Sequence, residues 1–260
     1  MLVSARGVRI NVVCRGDGAP VVLLHGLGCS AASWDDTVRQ LIRSHQTVSI
    51  DLRGFGSSDR TYGAFELADL ATDVRLVLER LELDPAPVVA HSMGGMVAQH
   101  LCLDAPERVT GLLLCGTTSG PTPEIREASV QLASLAREAG AVALAEAMAP
   151  LLFGPDTLQN RPDQVEEFIG SFGSCDDQVL ALALDAIAAF DVTARLGDIT
   201  VPTTVLAGEH DPYLADCRRL AELIPGAEIR VLDGLGHMAP FEATDRFVAE
   251  VSTFLGDGAG

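Results

Sequence analysis

The sequence contains no lysine, and all 18 of its basic residues are arginine. Schiff-base catalysis and phosphate binding by a P-loop both use a lysine, so these two kinds of site are excluded. The 36 acidic residues give the chain a formal net charge of −18. Such a charge disfavours nucleic acids and anionic membranes as partners, since both are bound through clustered cations.

The sequence also lacks paired cysteines and long apolar runs. Its six cysteines are scattered, none forms a C-x-x-C pair, and no cluster of cysteine and histidine predicts a zinc site. We therefore expect neither a metal nor another cofactor. No apolar run is long enough to span a membrane, and residues 1–10 have no apolar segment typical of a signal peptide. A reduced, cytoplasmic setting is expected.

Short apolar runs bounded by turn residues alternate with helical patterns along most of the chain. With 260 residues, 48% of them hydrophobic, the chain can bury the core of one α/β domain with an insertion. Continuous apolar runs are typical of strands covered on both faces, which predicts a doubly wound, mostly parallel sheet. The predicted strands are residues 8–14, 20–24, 46–50, 87–90, 109–115, 201–207 and 227–232.

Residues 121–190 interrupt this alternation. They contain no convincing strand pattern, and Gly-Pro at 154–155 and Gly173 separate their helical patterns. The predicted helices are residues 124–148, 162–172 and 177–190. Since regular strand and helix patterns resume afterwards, we interpret this segment as an insertion into the α/β domain.

Ser92 lies where the predicted strand 87–90 meets a helical pattern over residues 93–103, within Ala-x-Ser-x-Gly. A turn this sharp exposes the serine hydroxyl above the edge of the sheet, and Gly94 lets the backbone turn without a Cβ clash. The N–H of Met93, at the start of the helix, would point at a negative charge forming beside Ser92.

This junction resembles the nucleophile elbow of the α/β-hydrolase family, with Ala90 in place of the family's usual glycine. His-Gly-Leu-Gly at residues 25–28 and Asp-Leu-Arg-Gly-Phe-Gly-Ser-Ser-Asp at residues 51–59 also resemble family loops. The resemblance covers nearly the whole chain and implies a core with a helical cap inserted after the sixth strand. The implied core is residues 1–120 and 191–260, and the implied cap is residues 121–190.

Three polar residues match the family's catalytic triad in chain order: Ser92, Asp211 and His237. Each follows the C-terminal end of a predicted strand, where open α/β sheets carry their sites. His237 would take the proton of Ser92, and Asp211 would orient the imidazole and stabilise its cation. The alternative acids and imidazoles nearby in the sequence are Glu209, Asp233, His91 and His210.

The resemblance also implies which backbone groups surround the substrate. The N–H groups of Leu27 and Met93 would form an oxyanion hole, because two donors aimed at one developing oxyanion lower the barrier. Gly26 and Gly28 would let the backbone approach the substrate. We interpret the side chain of His25 as a structural brace of this loop.

The charged residues Asp51 and Arg53 lie near the end of a predicted strand. They could bind a ligand, but ion pairs that brace loops also occur near active sites. We interpret the two residues as such a structural charge pair.

Within the family, residues 94–99 and 105–109 make the chain look most like small enol-lactonases, esterases and meta-cleavage-product hydrolases. This implies hydrolysis of a small ester or lactone through an acyl-enzyme. Cleavage of a carbon–carbon bond, a lyase or cyclisation reaction, and a small-molecule receptor on the same scaffold stay open, since a fold does not fix a function. A small-molecule substrate and a monomeric or homodimeric state are expected.

The charge of the predicted cap favours an uncharged substrate. Residues 121–190 contain three arginines and eleven acidic residues, a net charge of −8. A negative lid repels anions that approach the cleft, and the apolar remainder of the cap suits an apolar ligand. This argues against the enol-lactonase activity, whose substrate is an anion.

Overall fold

A computed structural model describes residues 1–120 and 122–257. Within these residues, eight strands form one sheet in the order β1-β2-β4-β3-β5-β6-β7-β8. The strands are β1 (Leu2–Ala5), β2 (Val8–Arg15), β3 (Ala19–Leu24), β4 (His45–Ile50), β5 (Ala86–His91), β6 (Val109–Cys115), β7 (Thr203–Gly208) and β8 (Glu228–Leu232). At one edge, β1 pairs antiparallel with β2, and β2 pairs antiparallel with β4. The other neighbouring pairs, β4-β3, β3-β5, β5-β6, β6-β7 and β7-β8, are parallel. The predicted doubly wound, mostly parallel sheet is confirmed.

The described residues form ten α-helices: α1 (Asp35–Leu41), α2 (Leu67–Arg80), α3 (Met93–Asp104), α4 (Pro123–Leu152), α5 (Pro155–Asn160), α6 (Pro162–Phe172), α7 (Asp177–Ala189), α8 (Leu214–Leu223), α9 (Ala239–Glu242) and α10 (Thr244–Leu255). In this part of the chain, no helix is both long and apolar enough to cross a membrane.

The helices cover both faces of the sheet because successive strand residues point to opposite sides. In β3, Val21 and Leu23 pack with α1 and α10. Val22 and Leu24 pack on the opposite face, in the larger core that also contains residues of α2, α3 and α8. All four of these β3 side chains are fully buried. The continuous apolar run of a central parallel strand therefore follows from burial on both faces.

Helices α4 to α7 lie between β6 and β7, so the insertion follows the sixth strand as expected. The structure adds a break at Gly140, where φ is 85° inside α4, and it adds the short helix α5. It also adds β1, whose four residues carry too short a pattern for prediction. We retain the division into core and cap as a proposal; Pro121 and residues 258–260 of that division lie outside the described residues.

Candidate active site

Ser92 stands at the corner between β5 and α3 with φ 53° and ψ −118°. A positive φ in a residue other than glycine costs about 1–3 kcal/mol and persists only where its surroundings impose it. Two hydrogen bonds hold the corner: the Ser92 N–H donates to the Cys115 carbonyl at 2.8 Å, and the Thr117 hydroxyl donates to the Ser92 carbonyl at 2.9 Å. The elbow expected from the sequence is therefore present in the backbone.

Glycine is required at position 94 by close packing. A Cβ on Gly94 would lie 2.4 Å from the Leu24 carbonyl oxygen and 2.6 Å from that of His25. Helix α3 thus begins in contact with the end of β3, which brings the 25–28 loop beside Ser92. The methyl group of Ala90, the departure from the family pattern, is fully buried within β5.

The structure brings the three predicted catalytic side chains together at the C-terminal ends of β5, β7 and β8. His237 Nε2 lies 2.9 Å from Ser92 Oγ, and His237 Nδ1 lies 3.0 Å from Asp211 Oδ1. Asp211 Oδ1 also accepts the Tyr213 N–H at 2.8 Å. Asp211 and His237 are buried. The arrangement can move a proton from Ser92 to His237 while Asp211 holds the imidazole in orientation.

The protonation states favour this transfer. Burial raises the pKa of Asp211, but the charge of His237 and the hydrogen bonds from His237 and the Tyr213 N–H lower it, and the net shift is downward. Asp211 is therefore ionised at neutral pH and accepts the Nδ1–H of His237. The neighbouring imidazole, His91, is buried, which lowers its pKa to about 3, and its Nε2 donates to the His237 carbonyl at 2.9 Å. His91 is therefore neutral and supports the backbone of His237.

Of the two expected oxyanion donors, Met93 follows Ser92 directly in the chain, and Leu27 lines the same cavity as Ser92. Among the described residues, neither the N–H of Leu27 nor that of Met93 donates to a protein acceptor. Gly26 lies against Ser92, since a Cβ on Gly26 would be 3.1 Å from the Ser92 Cβ. N–H groups without a protein acceptor are free to donate to an oxyanion, and we retain this role of Leu27 and Met93 as a proposal.

Gly28 was predicted to let the backbone approach the substrate, but it does not line the cavity above Ser92. Gly26 and Leu27 line the cavity above Ser92, whereas Gly28 is not among its lining residues. A Cβ on Gly28 would lie 2.1 Å from the ring of Phe172, and the Gly28 φ is 69°. The structure therefore gives Gly28 a packing role, as the position where α6 contacts the 25–28 loop.

The alternative acids and imidazoles lie outside the hydrogen-bonded array. Glu209 is exposed and accepts the Gly234 N–H at 2.8 Å, and Asp233 and His210 are exposed. His25 is buried; its Nε2 accepts the Leu52 N–H at 2.9 Å, and its Nδ1 donates to the Gly26 carbonyl at 2.8 Å. These bonds brace the 25–28 loop, which is the structural role expected for His25.

Asp51 and Arg53 are both structural, but they do not pair with each other as predicted. Arg53 makes a bidentate ion pair with the buried Asp73 of α2, with both distances at 2.7 Å. Asp51 accepts backbone N–H groups from Ala31 and Ser57. The sequence could not reveal Asp73 as the partner, because it lies on the helix after the loop.

A cavity of about 560 Å³ opens above Ser92 between the core and the insertion. Most of its lining side chains are apolar, and no arginine, aspartate or glutamate of the described residues lines it. Its polar lining side chains include Ser92, His91, His210, Tyr213 and His237. The cap side chains that line it include Ile125, Leu132, Phe168, Phe172, Leu184 and Ile187. The helical spacing of these apolar residues predicted that they lie on helices. It could not show that they face the cavity.

The acidic residues of the insertion do not line this cavity. Ten of the eleven are exposed, and Asp176 caps α7 by accepting the N–H groups of Gln178 and Val179. The net charge of the insertion therefore lies on its exposed surface and not in the cavity wall. An expectation of an uncharged ligand therefore has to rest on the side chains of the cavity wall and not on that charge.

Two further features concern cofactors and a residue missed in the sequence. Within the described residues, no group of three or more histidine, cysteine, aspartate or glutamate side chains is placed to hold a metal ion.

Glu242, on α9 behind His237, is buried and accepts the N–H groups of Gly236 and Gly154. Its only sequence signal was an acid following the apolar run Met-Ala-Pro-Phe.

Comparison with known proteins places these features in a family. A family model described as alpha/beta hydrolase fold matches residues 19–244. The chain is 28% identical to 3-oxoadipate enol-lactonase 2 of Acinetobacter baylyi, over 94% of this chain and 92% of that protein. It is 31% identical, over 85% of each chain, to a Variovorax paradoxus protein whose name provisionally assigns carbamate hydrolysis. The crystal structure of an enol-lactonase from Burkholderia xenovorans superposes with a TM-score of 0.92 at 28% identity, covering 98% of this chain and 99% of that one.

Proposed function

The chain belongs to the α/β-hydrolase fold family, and we propose that it is a serine hydrolase that cleaves a small, uncharged carboxylic ester or lactone without a cofactor. Relatives that match more than four fifths of the chain are named for lactone or carbamate hydrolysis, which supports a hydrolytic function. The observation that carries the finer proposal is the hydrogen-bonded series from Ser92 through His237 to Asp211, with distances of 2.9 and 3.0 Å.

In the proposed mechanism, Ser92 Oγ attacks the substrate carbonyl while His237 Nε2 takes the hydroxyl proton. The ionised Asp211 stabilises the imidazolium cation that results. The N–H groups of Leu27 and Met93 donate to the oxyanion of the tetrahedral intermediate, and loss of one such donor typically costs about 3–4 kcal/mol of barrier.

His237 then returns the proton to the leaving oxygen as the bond from this oxygen to the carbonyl carbon breaks. An ester releases its alcohol at this step, whereas a lactone keeps the new hydroxyl group on the acyl chain. In the second half of the reaction, His237 takes a proton from water, and the resulting hydroxide attacks the acyl carbonyl. When this second intermediate collapses, the bond from the acyl carbon to Ser92 Oγ breaks, Ser92 Oγ takes the proton back from His237, and the carboxylic acid is released. Because His237 acts first as a base and then as an acid in each half, the same residues perform both.

The cavity wall supports the assignment to uncharged substrates. An ionised carboxylate moved from water into an apolar wall without a partner loses several kcal/mol of hydration. Pockets of 300–1,000 Å³ suit drug-sized ligands, and at about 560 Å³ this cavity has room for an acyl chain and an alcohol group together. The substrate proposed for this chain is therefore uncharged, unlike the 3-oxoadipate anion that appears in the name of its enol-lactonase relative.

A matched set of substrates tests this specificity. We expect kcat/KM for 4-nitrophenyl hexanoate to exceed that for the 4-nitrophenyl monoester of adipic acid by at least about 100-fold, the effect of a buried unpaired carboxylate. The methyl ester of the adipate substrate, which removes the charge but not the length, should recover most of the rate. The ratio should change little with salt, because buried charges are screened weakly. A preference for the anion that fades with added salt would contradict the proposal.

The pH profile tests the role of His237 as the base. We expect kcat/KM to fall about tenfold for each pH unit on the acidic side, because a single protonation of His237 removes the proton acceptor. His91, with its pKa lowered to about 3 by burial, is already neutral over this range and cannot produce that limb. In a His91→Gln variant the midpoint of the limb should therefore stay where it is. Disappearance of the limb in that variant would assign the titration to His91.

The same assays separate the other functions that the fold supports. Turnover of carbon–carbon substrates without turnover of any ester or lactone would favour a carbon–carbon hydrolase. Tight binding of a small molecule without turnover of any substrate would favour a receptor on the same scaffold.

A further inference from the structure

The segment that carries His237, residues 234–238, is held by hydrogen bonds from both sides. We call it the histidine loop. On one side, the His237 carbonyl accepts from His91. On the other, one carboxylate oxygen of Glu242 accepts the Gly236 N–H at 2.8 Å, directly before the catalytic histidine. Glu242 is 3% exposed, so its carboxyl group lies in the interior.

The second carboxylate oxygen of Glu242 contacts the cap. It accepts the N–H of Gly154 at 2.7 Å. Gly154 belongs to residues 152–154, which join α4 to α5 and which we call the cap junction. A single buried carboxylate thus joins the histidine loop of the core to the cap junction, across 88 residues of sequence.

The two segments also touch directly through their backbones. The Met238 N–H donates to the Leu152 carbonyl at 3.1 Å. A Cβ on Gly236 would lie 2.5 Å from that same carbonyl oxygen, and a Cβ on Gly154 would lie 2.5 Å from the Gly234 carbonyl oxygen. No side chain fits between the histidine loop and the cap junction, so displacement of one segment is transmitted to the other.

A carboxylate is the side chain that this geometry requires. Two N–H groups converge on Glu242, and each of its oxygens accepts one of them. Hydrogen bonds to an ionised acceptor are roughly twice as strong as neutral ones. A glutamine in the same place would accept one N–H and turn its own NH₂ group against the other, leaving a buried donor unpaired.

We propose that Glu242 is a positioning residue for catalysis: it fixes the histidine loop against the cap junction and so holds His237 Nε2 at reacting distance from Ser92. The proposal rests on the serine-hydrolase function proposed above. It also makes the cap part of the catalytic machinery, because Leu152 and Phe153 of the cap junction line the substrate cavity. Substrate in the cavity therefore contacts the segment that supports the base.

The variant Glu242→Gln tests the proposal against a matched control, Asp73→Asn. Asp73 is 1% exposed and pairs with Arg53, remote from the histidine loop in the hydrogen-bond network, so both variants change a buried carboxylate to an amide. We expect Glu242→Gln to lower kcat about 100-fold, the effect of a displacement of about 1 Å, with KM changed less than about threefold. The rate of Ser92 labelling by a fluorophosphonate should fall by a similar factor.

The control should lower the thermal midpoint of unfolding at least as much but leave kcat and the labelling rate within about twofold per folded molecule, because a lost structural ion pair acts on stability. Gly154→Ala perturbs the same contact from the cap side and should also lower kcat, although Gly154 does not line the cavity. Rates are normalised to the folded fraction from near-UV circular dichroism, so partial unfolding does not obscure the result.

Three results distinguish the possibilities. Slow labelling of both Glu242→Gln and Gly154→Ala, with normal labelling of Asp73→Asn, supports the positioning role. Wild-type labelling rates in the folded molecules of Glu242→Gln and Gly154→Ala would overturn it and leave the hydrolase proposal intact. A wild-type protein that is neither labelled nor active on esters would overturn both proposals.

Discussion

Replacement of Ser92 by alanine is expected to reduce kcat by about 10⁶-fold, the loss found when the nucleophile of a serine hydrolase is removed. The residual rate would come from substrate binding and from the N–H groups of Leu27 and Met93. The fold should persist, because the Ser92 hydroxyl bonds only to His237 among the described residues and contributes little packing. The measurements are kcat on an uncharged ester and near-UV circular dichroism.

Covalent labelling gives the same experiment a direct readout. A fluorophosphonate should add one equivalent of label to the wild-type protein and none to Ser92→Ala. Ser134→Ala is the matched control, since Ser134 is an exposed serine of α4 whose hydroxyl donates to the Val130 carbonyl within its own helix. It should be labelled at the wild-type rate. Labelling of Ser92→Ala at the wild-type rate would show that the nucleophile is another residue.

The parts of the site that the sequence predicts are those set by local patterns. Ser92, Asp211 and His237 each follow a strand whose apolar run is visible in a few consecutive residues. Parallel strands end at one edge of the sheet, so the residues after them must meet there. The choice of Asp211 over Glu209 rested on the family pattern. The structure gives a physical reason, because the carboxylate of Glu209 accepts the N–H of Gly234.

The parts that escaped prediction depend on contacts between segments distant in sequence. Arg53 was matched with Asp51, its neighbour in the loop, whereas its partner Asp73 lies 20 residues away. Gly28 was assigned to the substrate, because nothing local shows that Phe172 of the cap packs on it. The role of Glu242 needs both Gly154 and Gly236, and no pattern in one segment could indicate that pair.

The cap charge illustrates a different limit. Its value of −8 was a correct sum over residues 121–190, but a sum does not say which way the side chains point. In the structure the acids face outward and the cavity wall is apolar. The proposal of an uncharged substrate therefore rests on a different physical ground, the cost of burying an unpaired charge.

The second large effect is expected for the other two members of the array. Asp211→Asn should lower kcat about 10⁴-fold, because an amide beside Nδ1 no longer fixes the tautomer in which Nε2 accepts the serine proton. His237→Ala should lower kcat by about as much as Ser92→Ala, since without a base the hydroxyl is a poor nucleophile. Both values are measured on the uncharged ester used for Ser92→Ala.

Combination of variants decides whether the three residues act as one unit. Residues that work together are strongly non-additive, so Ser92→Ala combined with His237→Ala or Asp211→Asn should be no slower than Ser92→Ala alone, within about threefold. Independent contributions would instead multiply to a loss of about 10¹⁰-fold with Asp211→Asn and about 10¹²-fold with His237→Ala. Glu209→Gln is the matched acid-to-amide control, because Glu209 precedes Asp211 by two residues and bonds to a backbone N–H; its kcat should stay within about threefold. If Glu209→Gln lowered kcat strongly while Asp211→Asn left it nearly unchanged, Glu209 and not Asp211 would be the acid of the triad.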